Sequence, residues 1–169
     1  NPSNMVGRNG DTLGFAYPYF DDSVKDPQNT YYPVFVDAVV ANPPYSQKYS
    51  KKDIENSPRF AEYGMPPDSK ADLAFLLHGL YHLKSDGSQV IVLPHGVLFR
   101  NEELQIRRTL IKKHQIETVI GLPANIFFGT GIPTVLICLK KTREENDILF
   151  IDAYKGFTKS GNKNKLREM

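Results

Sequence analysis

The sequence predicts an α/β protein with a mostly parallel sheet and one antiparallel late strand. Two observations carry that expectation. Between residues 34 and 122, short apolar runs alternate with stretches of helical periodicity, the pattern of parallel strands joined by crossover helices. The last two apolar runs, 132–139 and 148–151, follow one another with no helix between them, so one must run antiparallel to the rest. The chain has 169 residues, one domain's length and enough for a substantial core. A net charge of +2 permits contact with nucleic acid without demanding it. The single cysteine, Cys138, lies inside an apolar run, so no disulfide framework and no cysteine-based metal site is expected. No signal-like segment or long apolar span is visible, which reads as a soluble cytosolic protein with no membrane contact.

Residues 1–32 are rich in turn formers. The apolar pair Met5-Val6 precedes Gly7-Arg8-Asn9-Gly10-Asp11, and the aromatics Phe15, Tyr17, Tyr19 and Phe20 then crowd a loop with Asp21 and Asp22. Asp11 either accepts bonds from a ligand or caps its own turn. Val34 to Ala41 reads as a buried strand that stops at Asn42. Residues 46–68 are polar, with Lys48, Lys51 and Lys52 among aromatics and prolines, and read as a binding loop or a solvated one. Ser69-Lys70-Ala71-Asp72 matches a capping box, and Leu73, Leu76, Leu77, Leu80 and Leu83 follow at helical spacing until Gly87. Gln89 to Leu93 is a strand ending at Pro94-His95-Gly96. Asn101 is placed to cap a helix through Leu104, Leu110 and Ile111, with Lys112, Lys113 and His114 at its C-terminal end. Glu117 to Leu122, Ile132 to Leu139 and Ile148 to Ile151 complete the strands. The tail from Lys155 to Arg167 reads as a basic, solvated linker. His78 and His82 have the spacing of a zinc pair but lack a third ligand in the sequence, so no metal is expected.

The chemistry concentrates at Asn42-Pro43-Pro44-Tyr45. Neither proline has an N–H to give, and each holds the preceding residue extended, so a strand ends in a stiff corner. The Asn42 amide oxygen and the Pro43 carbonyl are then paired acceptors, suited to the two hydrogens of a ligand NH₂ group. Tyr45 offers a flat face for a planar base. The crevice beyond strand C-termini is where open α/β sheets bind ligands.

This tetrapeptide resembles the catalytic motif of amino-methyltransferases that use S-adenosylmethionine, above all those acting on adenine N6 of DNA. The stretches Arg8 to Leu13, Asp72 to His78, Asp86 to Arg100, Ile116 to Leu122 and Ile132 to Lys141 together resemble the modification subunit of type I restriction–modification systems. The resemblance implies a partial Rossmann-like methyltransferase fold whose final strand inserts antiparallel. It implies that Asn42, Pro43, Pro44 and Tyr45 hold the target adenine, that Asp11 and Phe75 lie at the adenine of S-adenosylmethionine, and that Phe128 is a second stacking ring. For Phe75 and Phe128 plain core packing is the competing reading. Implied partners are DNA, a specificity subunit and a restriction subunit. The resemblance covers 1–155, with 156–169 left as linker.

The family's Gly-rich cofactor turn should lie before Asp11, and nothing here fits it. Two expectations follow. The chain by itself should bind S-adenosylmethionine poorly and be inactive, which micromolar binding in isothermal titration would contradict. Residues 1–30 should also be displaced from the fold position of the family, disordered, or paired with another copy of the chain. Three other readings share these features: a glutamine or guanine-N2 methyltransferase, a non-catalytic DNA-holding or assembly module, and a generic Rossmann-like nucleotide binder.

Overall fold

A computed structural model describes residues 10–14, 33–52, 54–127 and 131–167. The expectations for Met5, for Phe15 to Asp22 and for Phe128 lie outside these residues. Among the described residues, five strands form one mixed sheet in the order β1-β2-β4-β3-β5: β1 (Val36–Ala41), β2 (Leu83–Pro94), β3 (Ile116–Gly121), β4 (Thr134–Lys140) and β5 (Leu149–Asp152). β1 and β2 run parallel, as do β3 and β5, while β4 is antiparallel to both β2 and β3. The late strand β4 thus lies between its predecessors β2 and β3, and its antiparallel direction fits the absence of a crossover helix before it.

Two helices lie in the connections. α1 (Asp72–Tyr81) is buried along almost its whole length, and α2 (Leu104–Lys112) presents Ile106 and Leu110 inward. The core joins Leu73, Leu76, Leu77 and Leu80 of α1 to Ile91 and Leu93 of β2 and Val135, Ile137 and Leu139 of β4. Residues 46–68 add Ile54 and Phe60 to this cluster, so that segment is neither a lid nor a free loop. Its lysines Lys48 and Lys52 stay exposed at the surface.

Several boundaries differ from the sequence reading. α1 begins at Asp72 and has no side-chain cap, because its N-cap position falls on Ala71, which has no polar side chain; the Asp72 carboxylate bonds Ser46 instead. Leu83 belongs to β2, not to the helix. Its partner is Val36, whereas Ala38 pairs with Ser88, so residues 84–87 loop out of the strand as a bulge. Gly87 sits in that bulge, where an added Cβ would lie 3.1 Å from the Asp37 carbonyl oxygen. Asn101 starts a short 3₁₀ turn (Asn101–Glu103) ahead of α2, again without a side-chain cap. Leu104 and Ile111 face outward, and Glu103 takes the buried place on that face. Among the described residues the expected buried strand at Val34 to Ala41 lies at an edge of the sheet, and Val40 is 85% exposed. The tail is not a linker: β6 (Phe157–Ser160) and β7 (Lys163–Leu166) form a hairpin. Its composition carries no apolar alternation, and its position is fixed instead by polar contacts with residues 124–127.

Gly79, in the middle of α1, lies directly over Gln89. The Gln89 side chain is fully buried, and neither its amide nitrogen nor its oxygen has a partner among the described residues. A Cβ on residue 79 would fall 2.7 Å from the amide nitrogen and 2.9 Å from its carbon. The whole amide must then move inside a filled core, at a typical cost of about 1–3 kcal/mol, against a helix-propensity gain of about 1 kcal/mol. We expect Gly79→Ala to lower the melting temperature by a few degrees; an increase would show that Gln89 yields freely.

Candidate functional site

Because β1, β2, β3 and β5 all point one way, Asn42, His95, Leu122 and Ala153 emerge on the same edge of the sheet. Backbone bonds stitch that edge together: His95 N donates to the Pro133 oxygen at 3.0 Å and Leu122 N to the Thr134 oxygen at 2.9 Å. The β6–β7 hairpin joins it through the Asn164 amide, which donates to the Ala124 oxygen, and Lys163 Nζ, which donates to the Phe127 oxygen, both at 2.7 Å. A groove of about 450 Å³ on this edge is lined by apolar residues together with His95, Asp152 and Tyr154.

The Asn42–Tyr45 corner stands where β1 leaves the sheet. Asn42 and Pro44 are exposed, and Pro43 and Tyr45 are half-buried. The Tyr45 hydroxyl donates to Asn42 Oδ1 at 2.9 Å. Partial burial pushes the Tyr45 phenol up, so it remains a donor at neutral pH. This contact orients the Asn42 amide and leaves its oxygen a second lone pair. No donor meets the Pro43 carbonyl among the described residues. The corner thus carries two oxygens that can each accept a further hydrogen bond.

What fixes the corner comes from further along the chain. Ser46 adopts φ of 50°, a left-handed conformation uncommon for a side chain with a Cβ. Its backbone N–H donates to Asp72 Oδ1 at 2.6 Å, and its hydroxyl reaches Asp72 Oδ2 at 3.5 Å. Arg100, just after β2, donates to Asp72 Oδ2 at 2.7 Å and to Glu103 Oε2 at 2.8 Å. The Asp72 and Glu103 side chains are fully buried and that of Arg100 is 14% exposed. Burial pushes the Glu103 carboxyl up, and the Arg100 guanidinium opposes that rise. None of these four residues is expected from the sequence as part of the site: Asp72 reads there as half of a capping box, and Asp72 and Arg100 stand at the ends of two motif stretches.

The remaining expected site residues divide. Asp11 is exposed and accepts the Leu13 N–H at 3.0 Å, capping its own turn. That turn is held to the core by Arg59, which donates to the Leu13 oxygen at 3.0 Å and meets His78 Nδ1 at 2.9 Å. Phe75, one helical turn before His78, is only partly buried against the core. The Asp11 turn and Phe75 are therefore both tied to α1. His78 and His82 are buried, their rings 4.8 Å apart, and His82 Nδ1 bonds the Val34 oxygen. Among the described residues no cluster of metal-ligating side chains occurs, and no helix is long and apolar enough to cross a membrane.

Residues 3–169 match the family model described as N-6 DNA Methylase. The chain belongs to this family. The match continues past residue 155, through the hairpin. Over 136 residues the chain is 40% identical to the type I restriction enzyme MpnII methylase subunit of Mycoplasma pneumoniae, covering 77% of this chain and 25% of that protein. It is 32% identical over 139 residues to the HindI methylase subunit of Haemophilus influenzae, covering 80% and 31%. Among solved structures, a type I restriction–modification methyltransferase subunit from Streptococcus thermophilus superimposes with a TM-score of 0.80 at 50% identity, over 95% of this chain and 33% of that one. This N-6 DNA methylase chain thus spans a quarter to a third of the length of these relatives.

Proposed function

We propose that this chain forms part of the modification subunit of a type I restriction–modification enzyme, and that its Asn42–Tyr45 corner holds the adenine methylated at N6. The observation that most supports this reading is the pair of acceptor oxygens at Asn42 and Pro43, each able to take a further hydrogen bond, beside the Tyr45 ring at the strand edge where such sheets bind ligands.

The target base must leave the duplex to reach the corner. Tyr45 then stacks on it, and Phe128, which precedes β4 in the chain, is the second candidate ring. Asn42 Oδ1 and the Pro43 carbonyl accept the two N6 hydrogens. Held this way, the amine keeps its lone pair pointed away from both oxygens and toward the methyl group. S-adenosylmethionine, when bound, supplies that methyl on a positively charged sulfur. With the cofactor bound, the amine's lone pair would take the methyl group while sulfur kept the carbon–sulfur electron pair, and the N6 proton then released would pass by way of the Asn42 and Pro43 oxygens to solvent, with no covalent enzyme intermediate. Orientation of this kind is worth several kcal/mol of barrier.

The residues present fit one end of the cofactor. Phe75 is partly buried on α1 and Arg59 anchors the Asp11 turn to the same helix, which supports reading Asp11 and Phe75 as the residues that would meet the cofactor's adenine. Exposed Lys159, Lys165 and Arg167 of the hairpin region lie on the corner's side of the sheet and are candidates for DNA phosphate contact. In this reading a specificity subunit selects the DNA sequence, a restriction subunit completes the assembly, and the enzyme works in the cytoplasm.

Methylome sequencing of the host with and without the gene tests the assignment. We expect N6-methyladenine to vanish from one recurring sequence motif on deletion. An unchanged adenine methylome would overturn it.

A further inference from the structure

We propose that Asp72, Arg100 and Glu103 form a buried positioning relay that sets the geometry of the Asn42–Tyr45 corner through Ser46. The inference rests on the reading above that this corner holds the methyl acceptor.

Three residues separate Asn42 from Ser46, and the two prolines among them stiffen the path, so a rotation at Ser46 is passed on to the Asn42 amide. Ser46 is held in a left-handed conformation that costs a non-glycine residue roughly 1 kcal/mol or more and persists only when surrounding contacts enforce it. The enforcing contact is the 2.6 Å bond from its N–H to the fully buried Asp72 carboxylate. Asp72 is in turn held by Arg100, and Arg100 by Glu103. The relay therefore joins the corner to the first residue of α1 and to the turn that follows β2, two elements on the same edge of the sheet.

A stability role alone does not account for this arrangement. Two carboxylates share one guanidinium out of water, and Glu103 Oε1 has no partner among the described residues. Buried ion pairs of this type gain little over apolar packing, so their use is better explained by the geometry they specify. The same bond also leaves the Ser46 N–H unable to compete for the oxygens of the corner. Asp72 and Arg100 touch neither base nor cofactor in this scheme; they act through Ser46.

The test uses the full-length subunit in its assembled enzyme, comparing Asp72→Asn, Arg100→Lys, Asn42→Ala and, as a control destabilised elsewhere in α1, Gly79→Ala. Asparagine keeps an oxygen for Ser46 but turns an N–H₂ against Arg100, and lysine keeps the charge of Arg100 without its two-armed grip. Rates are expressed per folded, DNA-binding-competent enzyme. We expect kcat for Asp72→Asn to fall tenfold or more and for Arg100→Lys severalfold. The KM for S-adenosylmethionine and the Kd for DNA should stay within about twofold, and Gly79→Ala should keep its kcat. If the folded Asp72 and Arg100 variants turn over like Gly79→Ala, or lose DNA binding in step with kcat, the relay is structural only and the proposal fails, while methylation by the wild type would leave the functional reading intact. If Asp72→Asn does not fold, Arg100→Lys decides alone. Failure of the wild type to methylate adenine would overturn the functional reading itself, and the relay with it.

Discussion

Asn42→Ala in the intact enzyme is expected to lower kcat for DNA methylation at least about a thousandfold, or ~4 kcal/mol, while changing DNA affinity by no more than about twofold. The amide accounts for one of the two oxygens that orient the N6 amine, and alanine offers none. Little stability is lost in exchange. Asn42 is exposed, and the one bond it is seen to make, from the Tyr45 hydroxyl, lies at the surface and is worth about 1 kcal/mol or less. Steady-state methylation with DNA binding measured in parallel separates the effects. Equal losses in rate and in DNA binding would make the corner a structural element of the DNA surface and not a holder of the reacting amine.

The second large effect concerns acid. Arg59 can only donate, so its 2.9 Å contact with His78 Nδ1 requires an unprotonated ring nitrogen there. Burial first, then the neighbouring His82 and Arg59, lowers the His78 pKa from its usual value to about 3. Burial lowers His82 as well. The sign follows from linkage. Above pH about 6.5 both histidines are neutral folded or unfolded and nothing is lost. Below it the unfolded chain takes up a proton that folded His78 refuses, so stability falls by about 1.4 kcal/mol per pH unit for that ring until its folded pKa is reached. Denaturant unfolding between pH 7.5 and 5 should show this slope, and His78→Gln, whose amide oxygen still accepts from Arg59, should reduce it. A flat profile in the unaltered protein would mean that Arg59 and His78 do not face one another as described.

The two expectations differ in how far the sequence shows them. The corner was legible because its properties are local: two prolines after an apolar run stop a strand wherever it lies. The alternation of strands and helices was legible for the same reason, as was the antiparallel β4, which a missing crossover helix implies. What failed to show depended on residues far apart in the chain. Asp72 looked like half of a capping box, but its carboxylate is taken by Arg100, 28 residues on, and by Ser46, 26 residues back. Leu83 continued the helical spacing of leucines by coincidence, since its place is set by pairing with Val36 across a bulge. Arg59, in a segment that reads as polar loop, is buried because it bridges His78 and the Leu13 carbonyl. The hairpin at 157–166 holds few apolar residues and declares itself only through contacts to the 124–127 turn.

The most direct measurement is nucleoside analysis by mass spectrometry of DNA incubated with the purified, assembled enzyme and isotopically labelled S-adenosylmethionine. The account predicts label in N6-methyladenine, and its loss when Asn42 is replaced by alanine. Label in methylcytosine or in protein, or N6-methyladenine formed equally well without the Asn42 amide, would contradict it.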